Sequence, residues 1–149
     1  MEELKRYLNG LGACNLKEEV DSLESALRMM FTPQGREFCV NTGFPTIEFL
    51  REHKEELKAM PGVYIDCGNI TIQSPDSNTL NQLISGDSQA ILRISKPTIL
   101  HHVIVAHNAS LTLHAGEYAV VTVTVIGECD VNVINDGTAK VTIERRHHG

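Results

Sequence analysis

The sequence contains no tryptophan, and aromatic residues make up only 5% of its 149 positions. Stacking sites for bases and sugars depend on aromatic side chains, so the composition argues against both. A basic patch is also missing. Residues 1–61 hold eight basic and eleven acidic residues and residues 62–149 hold five and eight, so each part carries a charge of −3. Without clustered Lys and Arg to neutralise phosphates, we predict no nucleic-acid partner.

Long hydrophobic runs are absent as well. No stretch approaches the roughly 18 consecutive apolar residues that a membrane-spanning helix needs. The start, Met1-Glu2-Glu3-Leu4-Lys5-Arg6, lacks the apolar run of a signal peptide. We therefore expect no membrane partner and a chain that is made in the cytoplasm and stays there unless it leaves inside an assembled particle.

The sequence is also poor in motifs that carry chemistry. It has no G-x-S-x-G elbow, no Walker-type loop and no G-x-G-x-x-G. Its four cysteines have no C-x-x-C spacing, which predicts small buried thiols rather than a disulfide framework or a metal site. They are Cys14, Cys39, Cys67 and Cys129. We predict no catalytic residues and no enzyme.

A repeated pentad dominates the second half of the chain. It reads small, variable, aliphatic, polar or hydroxylic, aliphatic, and it recurs every ten residues at 109–113, 119–123, 129–133 and 139–143. A period of two places the two aliphatic residues on one face of a strand. The pattern predicts the inward side chains Val121, Val123, Val131, Val133, Val141 and Ile143. Segments 68–72 and 90–94 match the same pattern further upstream.

Two architectures suit short strands that alternate with short turns. A β-solenoid stacks like strands coil over coil, which fits the near-identical pentads. An antiparallel β-meander or sandwich pairs neighbours through hairpins, which fits the turn residues Asn135-Asp136-Gly137. We predict an α+β fold in which an N-terminal helical region precedes a short β-solenoid, and the antiparallel β-meander or sandwich is the alternative.

The first 61 residues have helical spacing. A short helix is predicted over 2–8, and a second begins at the N-cap Asn15 with the apolar stripe Leu16, Val20, Leu23, Leu27 and Met30. Thr32-Pro33 starts a helix that ends near Gly43, and Pro45-Thr46 starts another that ends before Gly62. We predict that 1–61 is a helical capping or attachment region over one open end of the stack and that 62–149 is a β-repeat domain.

The twenty residues from Pro97 to Gly116 contain four histidines but no Asp, Glu, Lys or Arg. Converging imidazoles can bind a metal or transfer protons, but the intervals of one, five and seven residues do not match the short spacings of histidine ligands. Depletion of charge is typical of an interface core. We therefore predict no metal, no cofactor and an oligomer interface formed by His101, His102, Ile104, His107 and His114.

Hydroxylic residues occupy the polar position of several pentads. Thr71, Thr112, Thr122 and Thr142, with Asn132 in register, predict one outward column. A flat ice-binding face needs a T-x-T pair in every coil, and only Thr122 and Thr124 form one. A column of this kind suggests an ice-binding or carbohydrate-binding surface.

Three segments carry a family resemblance. Thr32-Pro33-Gln34-Gly35-Arg36-Glu37-Phe38-Cys39, Gly43-Phe44-Pro45 and Gly62-Val63-Tyr64-Ile65-Asp66 resemble a block in short uncharacterised proteins of phages and mobile elements from gut anaerobes. A helical N-terminal part precedes β-rich repeats in those proteins too. The resemblance covers residues 25–72 and implies no catalytic or binding residues. It implies a virion component or a phage-encoded accessory protein.

These observations predict a non-enzymatic, self-assembling phage structural or accessory protein with a rigid oligomeric β shaft or platform. We expect a homo-oligomer, with a trimer favoured, and other virion proteins as further partners. The chain would be found in the host cytoplasm when made and in the virion if structural. One alternative is a small-molecule or glycan-binding module that uses a groove between subunits. Another is a metal-dependent enzyme built on the histidines.

Overall fold

The structure is a computed structural model that describes residues 23–73, 81–94 and 100–145. Its helices are α1 (Leu23–Met30), α2 (Pro33–Thr42), α3 (Ile47–Glu52) and α4 (Lys54–Lys58). Its strands are β1 (Val63–Ile65), β2 (Gly68–Ile72), β3 (Asn81–Ser85), β4 (Ser88–Ile94), β5 (Leu100–Ala106), β6 (Ser110–Ala115), β7 (Val120–Ile126), β8 (Asp130–Asn135) and β9 (Lys140–Glu144). The helix predicted over 2–8 and the start predicted at Asn15 lie outside the described residues.

Helix α2 begins and ends at the signals in its sequence. The Thr32 hydroxyl accepts a hydrogen bond from the Gly35 backbone N–H at 3.1 Å. Pro33 occupies the first helical position, where the backbone N–H that proline lacks would have no partner within the helix. Gly43 ends the helix with a left-handed φ of 77°. The helix predicted between Thr32 and Gly43 is confirmed.

The helix predicted after Pro45-Thr46 is divided in two. Thr46 caps α3 by accepting a hydrogen bond from the Phe49 N–H at 3.1 Å. The two helices meet at His53, where φ is −104° and the imidazole packs on the Phe49 ring with centroids 4.6 Å apart. Helix α4 follows directly. Leu50 and Leu57 are buried on either side of the break.

From β1 onward the chain forms a parallel β-solenoid. Alternate strands join a five-stranded sheet in the order β1-β3-β5-β7-β9 and a four-stranded sheet in the order β2-β4-β6-β8. Val120 pairs with Lys140, so each pentad stacks on the one twenty residues away. The predicted solenoid is confirmed and the antiparallel meander or sandwich is wrong. Asn135-Asp136-Gly137 is a corner of the last coil rather than a hairpin turn.

The inner faces of both sheets enclose one hydrophobic core. Its most buried members, at most 1% exposed, are Ile84, Leu92, Ile94, Val103, Val105, Ala109, Leu111, Leu113, Ala119, Val121 and Val123. Burying a side chain of this size contributes roughly 1.5–3 kcal/mol. The predicted inward orientation of Val121 and Val123 is confirmed. Val131, Val133 and Val141 pack on the same core with partial burial.

The corner after each of β1, β3, β5 and β7 uses left-handed backbone. Asp66, Gly86, His107 and Gly127 occupy this position, with φ of 53°, 68°, 49° and 76°. Glycine adopts this conformation without strain, whereas another residue needs compensating contacts. Asp66 is hydrogen-bonded to Arg51, and the His107 ring contacts the Pro45 carbonyl oxygen. These corners stack on one another along one side of the solenoid.

The helices cover the outer face of the five-stranded sheet. That face is apolar near the corners, where Val63, Ile65, Leu83, Ile104, Ala106 and Ile126 lie. These residues form a second core with Met30, Phe31, Cys39, Phe49, Leu50 and Leu57. For the described residues this corrects the expectation that the helical region covers an open end of the stack. An apolar outer face needs cover, and the helices supply it.

Candidate functional site

The coil formed by β8 and β9 is one end of the solenoid within residues 23–73, 81–94 and 100–145. In that part of the chain β8 pairs only with β6, and β9 pairs only with β7. The far edge of each strand therefore presents backbone N–H and C=O groups that no described strand binds. An open edge of this kind is a ready-made template for another strand. We call the β8–β9 coil the terminal coil.

Inner side chains lose their cover at the terminal coil. Ile143 lies in the inner column of Val123, its partner in β7. Val123 is fully buried, whereas Ile143 is 42% exposed. Ile134, on the outer face of β8, is 47% exposed. Because Val131, Val133 and Val141 are also only partly buried, the terminal coil presents a strip of apolar side chains.

A cleft of about 500 Å³ lies between α2 and β9. Its helical wall is formed by Pro33, Arg36, Glu37, Val40 and Asn41, and its strand wall by Ile143, Glu144 and Arg145. A helix therefore stands beside an open strand edge. Protein domains that bind extended peptides by adding a strand to a sheet use such an edge for main-chain hydrogen bonds and neighbouring pockets for side chains.

An ion pair holds α2 beside β9. Arg36 Nε donates a hydrogen bond to Glu144 Oε1 at 2.9 Å, and the Thr124 hydroxyl donates to the same oxygen at 2.8 Å. The Arg36 side chain is 12% exposed and that of Glu144 is 38% exposed. Arg36 also donates to the Phe31 carbonyl oxygen. The pair therefore sets the spacing between the two walls of the cleft.

His102 lies next to this ion pair, on the outer face of the five-stranded sheet. It forms a column with Thr122 and Thr142. Burial lowers the pKa of His102, the positive charge of Arg36 lowers it further, and Glu144 opposes both effects. The neutral imidazole is therefore favoured. His102 is one of the five predicted interface residues, and it interacts electrostatically with both members of this ion pair.

The other four predicted interface residues lie elsewhere. His101 is 1% exposed in the inner column of Val121, and Ile104 is fully buried beneath the helices. His107 lies at a corner against Pro45, and His114 lies on the outer face of the four-stranded sheet. The five side chains do not form one surface of a single chain. Neighbours on a strand alternate faces, and consecutive strands belong to different sheets.

The side chains that could ligate a metal are dispersed. Among the described residues, no group of three or more His, Cys, Asp or Glu side chains is close enough to hold a metal ion. His147 and His148 of the C-terminal tail lie outside the described residues. The four histidines of the uncharged segment are separated by the core and the sheets rather than brought together.

The predicted hydroxylic column is divided between the two sheets. Thr112 and Asn132 follow Thr71 and Ile91 in one outer column of the four-stranded sheet. Thr122 and Thr142 belong to the five-stranded sheet. The single column is therefore wrong, because pentads ten residues apart alternate between sheets. The outer face of the four-stranded sheet is still polar, with Gln89, Arg93, Ser110, Thr112 and His114 among its residues.

Sequence reasoning missed the importance of Arg36 and Glu144. The two residues are 108 positions apart, and no periodic pattern connects a helix to a strand over that distance. One available signal was the sequence of β9 itself, Lys140-Val141-Thr142-Ile143-Glu144. It places a cation and an anion at equal distances on either side of Thr142, with aliphatic residues between.

Within the described part of the chain, no helix has the length and apolar character needed to cross a membrane.

Comparisons with known proteins identify no family for this chain. No protein-family model, no curated protein and no solved structure matches the chain.

Proposed function

We propose that this protein is a non-enzymatic structural component that works by self-association, and that the terminal coil is the surface through which copies join. The observation that carries the proposal is the contrast between Val123, which is fully buried, and its stacked partner Ile143, which is 42% exposed. Another copy placed on the terminal coil would give Ile143 the cover that Val123 already has. Burying apolar surface drives most protein association.

The fold suits a mechanical role. Parallel strands in two sheets enclose a continuous core, and the helices brace the outer face of the five-stranded sheet through a second core. Such a body is stiff, because each coil is bonded to the next along its whole width. A rigid shaft or platform in a phage particle, or in a phage-encoded accessory assembly, is the role that we propose on the basis of the resemblance noted above.

Self-association through the terminal coil also explains why the open edge of β9 is unprotected. Proteins commonly protect open sheet edges with charge, proline, bulges or cover, because exposed edges promote aggregation. The middle of β9 is Val141-Thr142-Ile143, which has none of these protections. The ends of the strand are charged, at Lys140 and Glu144. A defined partner strand would use the apolar middle and the charged ends together.

The proposal is tested by sedimentation of matched variants. Ile143→Lys introduces a charge at the terminal coil, and Ile91→Lys makes the same change at a similarly exposed isoleucine, 38% exposed, on the four-stranded sheet. We expect the wild type and Ile91→Lys to be oligomers and Ile143→Lys to be a monomer. Circular dichroism verifies that both variants are folded. A monomeric wild type, or equal dissociation of the two variants, would contradict the proposal.

A second candidate, the binding of a small molecule or glycan, is supported by a different surface. The outer face of the four-stranded sheet presents hydroxyl, amide and charged groups around the exposed Ile91. Regularly spaced polar groups on a flat sheet can bind hydroxylated ligands by hydrogen bonds. Screening of glycans should then find a ligand whose binding is lost in Arg93→Ala and retained in Ile143→Lys. Binding that is insensitive to Arg93→Ala would exclude this face.

A further inference from the structure

We infer that two copies join by antiparallel pairing of their β9 strands about Thr142, which makes a closed two-fold dimer. This inference rests on the proposed function, because it specifies the partner and the geometry at the terminal coil. The partner is a second copy of this chain. Its basis is the order of side chains along β9, the open edge of that strand and the cleft beside it.

The side chains of β9 are complementary to themselves in antiparallel orientation. With Thr142 opposite its own copy, Lys140 lies opposite the partner's Glu144, and Val141 lies opposite the partner's Ile143. Val141 and Ile143 point into the solenoid, whereas Lys140 and Glu144 are on its outer face. Opposite charges therefore meet on one face and aliphatic side chains on the other. Directly opposite side chains of this kind stabilise antiparallel strand pairs.

Neighbouring registers lack this complementarity. If the strands slip by one residue in one direction, Lys140 lies opposite the partner's Arg145, so like charges meet. If they slip in the other direction, Lys140 lies opposite the partner's Ile143, so a charge faces an aliphatic side chain. Such a slip also moves side chains to the wrong face of the sheet. The register about Thr142 is therefore the one that the side chains select.

The cleft between α2 and β9 accommodates the added strand. A strand paired with the β9 edge lies beside α2, whose wall includes Glu37 and Arg36. The partner's Lys140 then approaches Glu144, which is already bonded to Arg36, in a cleft that Glu37 and Arg145 also line. Among the described residues, Lys140 forms no ion pair within its own chain, so its ammonium group is available for this contact. The two-fold axis repeats every contact, so each strand enters the other copy's cleft.

Alternative assemblies fit less well. Head-to-tail stacking would place β9 of one copy against β1 of the next and would form an open filament. Strand β1 has only three residues, Val63-Tyr64-Ile65, and offers no charge opposite Lys140 or Glu144. It also lies against α4 in the helical region of its own chain. Two-fold pairing uses the same five-residue strand twice and closes the assembly.

Cysteine cross-linking tests the register. In an antiparallel pair, directly opposite Cα atoms are about 4.5–5.5 Å apart, within the 4.4–6.8 Å range of disulfides. Thr142→Cys should therefore form an intermolecular disulfide under mild oxidation. Thr122→Cys is the matched control, because Thr122 is in the same column one strand inward. Its distance from its own copy would be three strand spacings, about 14 Å.

We expect Thr142→Cys to give a disulfide dimer at least tenfold more readily than Thr122→Cys gives its own. Peptide mass mapping should show that the disulfide joins the two introduced thiols, one from each copy. Lys140→Glu should weaken the wild-type dimer by roughly five- to tenfold, since the substitution places like charges opposite each other twice. Lys58→Glu, an equal change of charge on α4, should leave dimerisation unchanged.

Each other outcome contradicts the inference in a distinguishable way. An oligomer without the Thr142→Cys link would overturn the β9 pairing and leave self-association standing. Filaments that grow with concentration would indicate head-to-tail stacking. A monomeric wild type would overturn both proposals. If the Thr142→Cys thiol of such a monomer also reacts slowly with alkylating reagents, the terminal coil is covered by another part of the same chain.

Discussion

Arg51 and Asp66 form a two-point ion pair where the helices meet the solenoid. Arg51 Nε donates to Asp66 Oδ2 at 2.9 Å, and Arg51 Nη2 donates to Oδ1 at 3.1 Å. The same Oδ1 accepts a hydrogen bond from the Asp87 backbone N–H at 2.7 Å. One carboxylate therefore connects α3 with the first two stacked corners. Asp66 itself has a left-handed backbone conformation, and these contacts compensate for its strain.

The ion pair predicts a loss of stability in acid. The hydrogen bond from Arg51 is the main cause that lowers the pKa of Asp66 from 3.8 to about 2, with help from the Asp87 N–H and against the effect of burial. The folded pKa is below the unfolded value, so the stabilisation is fully present above pH 3.8 and is lost as the pH falls through 2.

Asp66→Asn should remove that pH dependence. We expect lower stability near neutral pH and a flatter decline between pH 3.8 and 2 than in the wild type. Chemical denaturation at a series of pH values measures this. Glu52→Gln, which changes an exposed carboxylate on α3, is the control and should keep the wild-type profile. Identical profiles for both variants would show that Asp66 does not stabilise the corner.

Alanine substitutions at Gly43 and Gly86 distinguish the cost of backbone strain from the cost of a steric clash. A Cβ at Gly86 would lie 2.2 Å from Asp66 Oδ1, whereas a Cβ at Gly43 would have no atom within 4 Å. Both residues have positive φ, so alanine costs roughly 1 kcal/mol at either position. We expect about 1 kcal/mol for Gly43→Ala and about 2–4 kcal/mol for Gly86→Ala, from denaturant melts. Equal losses would contradict the close packing at this corner.

The alternation of β6 predicts that substitutions at neighbouring residues differ greatly in their effect on stability. Leu113 is fully buried in the inner core, and Thr112 points outward. Leu113→Ala should cost about 2–5 kcal/mol through lost burial and a cavity. Thr112→Ser should change the free energy of unfolding by less than about 0.5 kcal/mol. Equal melting temperatures for the two variants would contradict the assigned inner and outer faces.

The thiols provide a chemical test of burial. Cys67 and Cys129 are free thiols, and burial raises the pKa of Cys129 to about 11. The thiolate is the reactive form, so alkylation of Cys129 in the folded protein should be slow near neutral pH and fast in denaturant. Cys129→Ala should be neutral, since Ala109 and Ala119 hold the equivalent pentad position. Rapid native labelling of Cys129 would contradict its placement.

The pentads predicted the solenoid because their alternation and spacing are local. A strand occurs every ten residues, and consecutive strands join different sheets. Paired residues are therefore twenty positions apart, as Val120 and Lys140 are. Segment 90–94 deviates, because Ala90 pairs with Leu111 rather than with Ala109. Ala90 and Leu111 are 21 residues apart, one more than the partners in the later coils, and a pattern of pentads does not detect the added residue.

The position of the helices could not be predicted in the same way. Ile104 and Ile126 are outward residues of regular strands, and only the folded structure shows that Leu50, Phe49 and other helical residues cover them. His101 also differs from the prediction, since an imidazole occupies an inner position that valine holds in the next coil. Residue type alone suggested an interface there, whereas the strand register places His101 in the core.

The mass of the intact protein in solution tests the central claim most directly. Sedimentation equilibrium near neutral pH, over micromolar concentrations, measures it without any substitution. Two-fold pairing through β9 predicts a limiting mass twice the 16.5 kDa of the chain, and the trimer expected from the sequence predicts three times that mass. A mass of 16.5 kDa at every concentration would contradict self-association through the terminal coil.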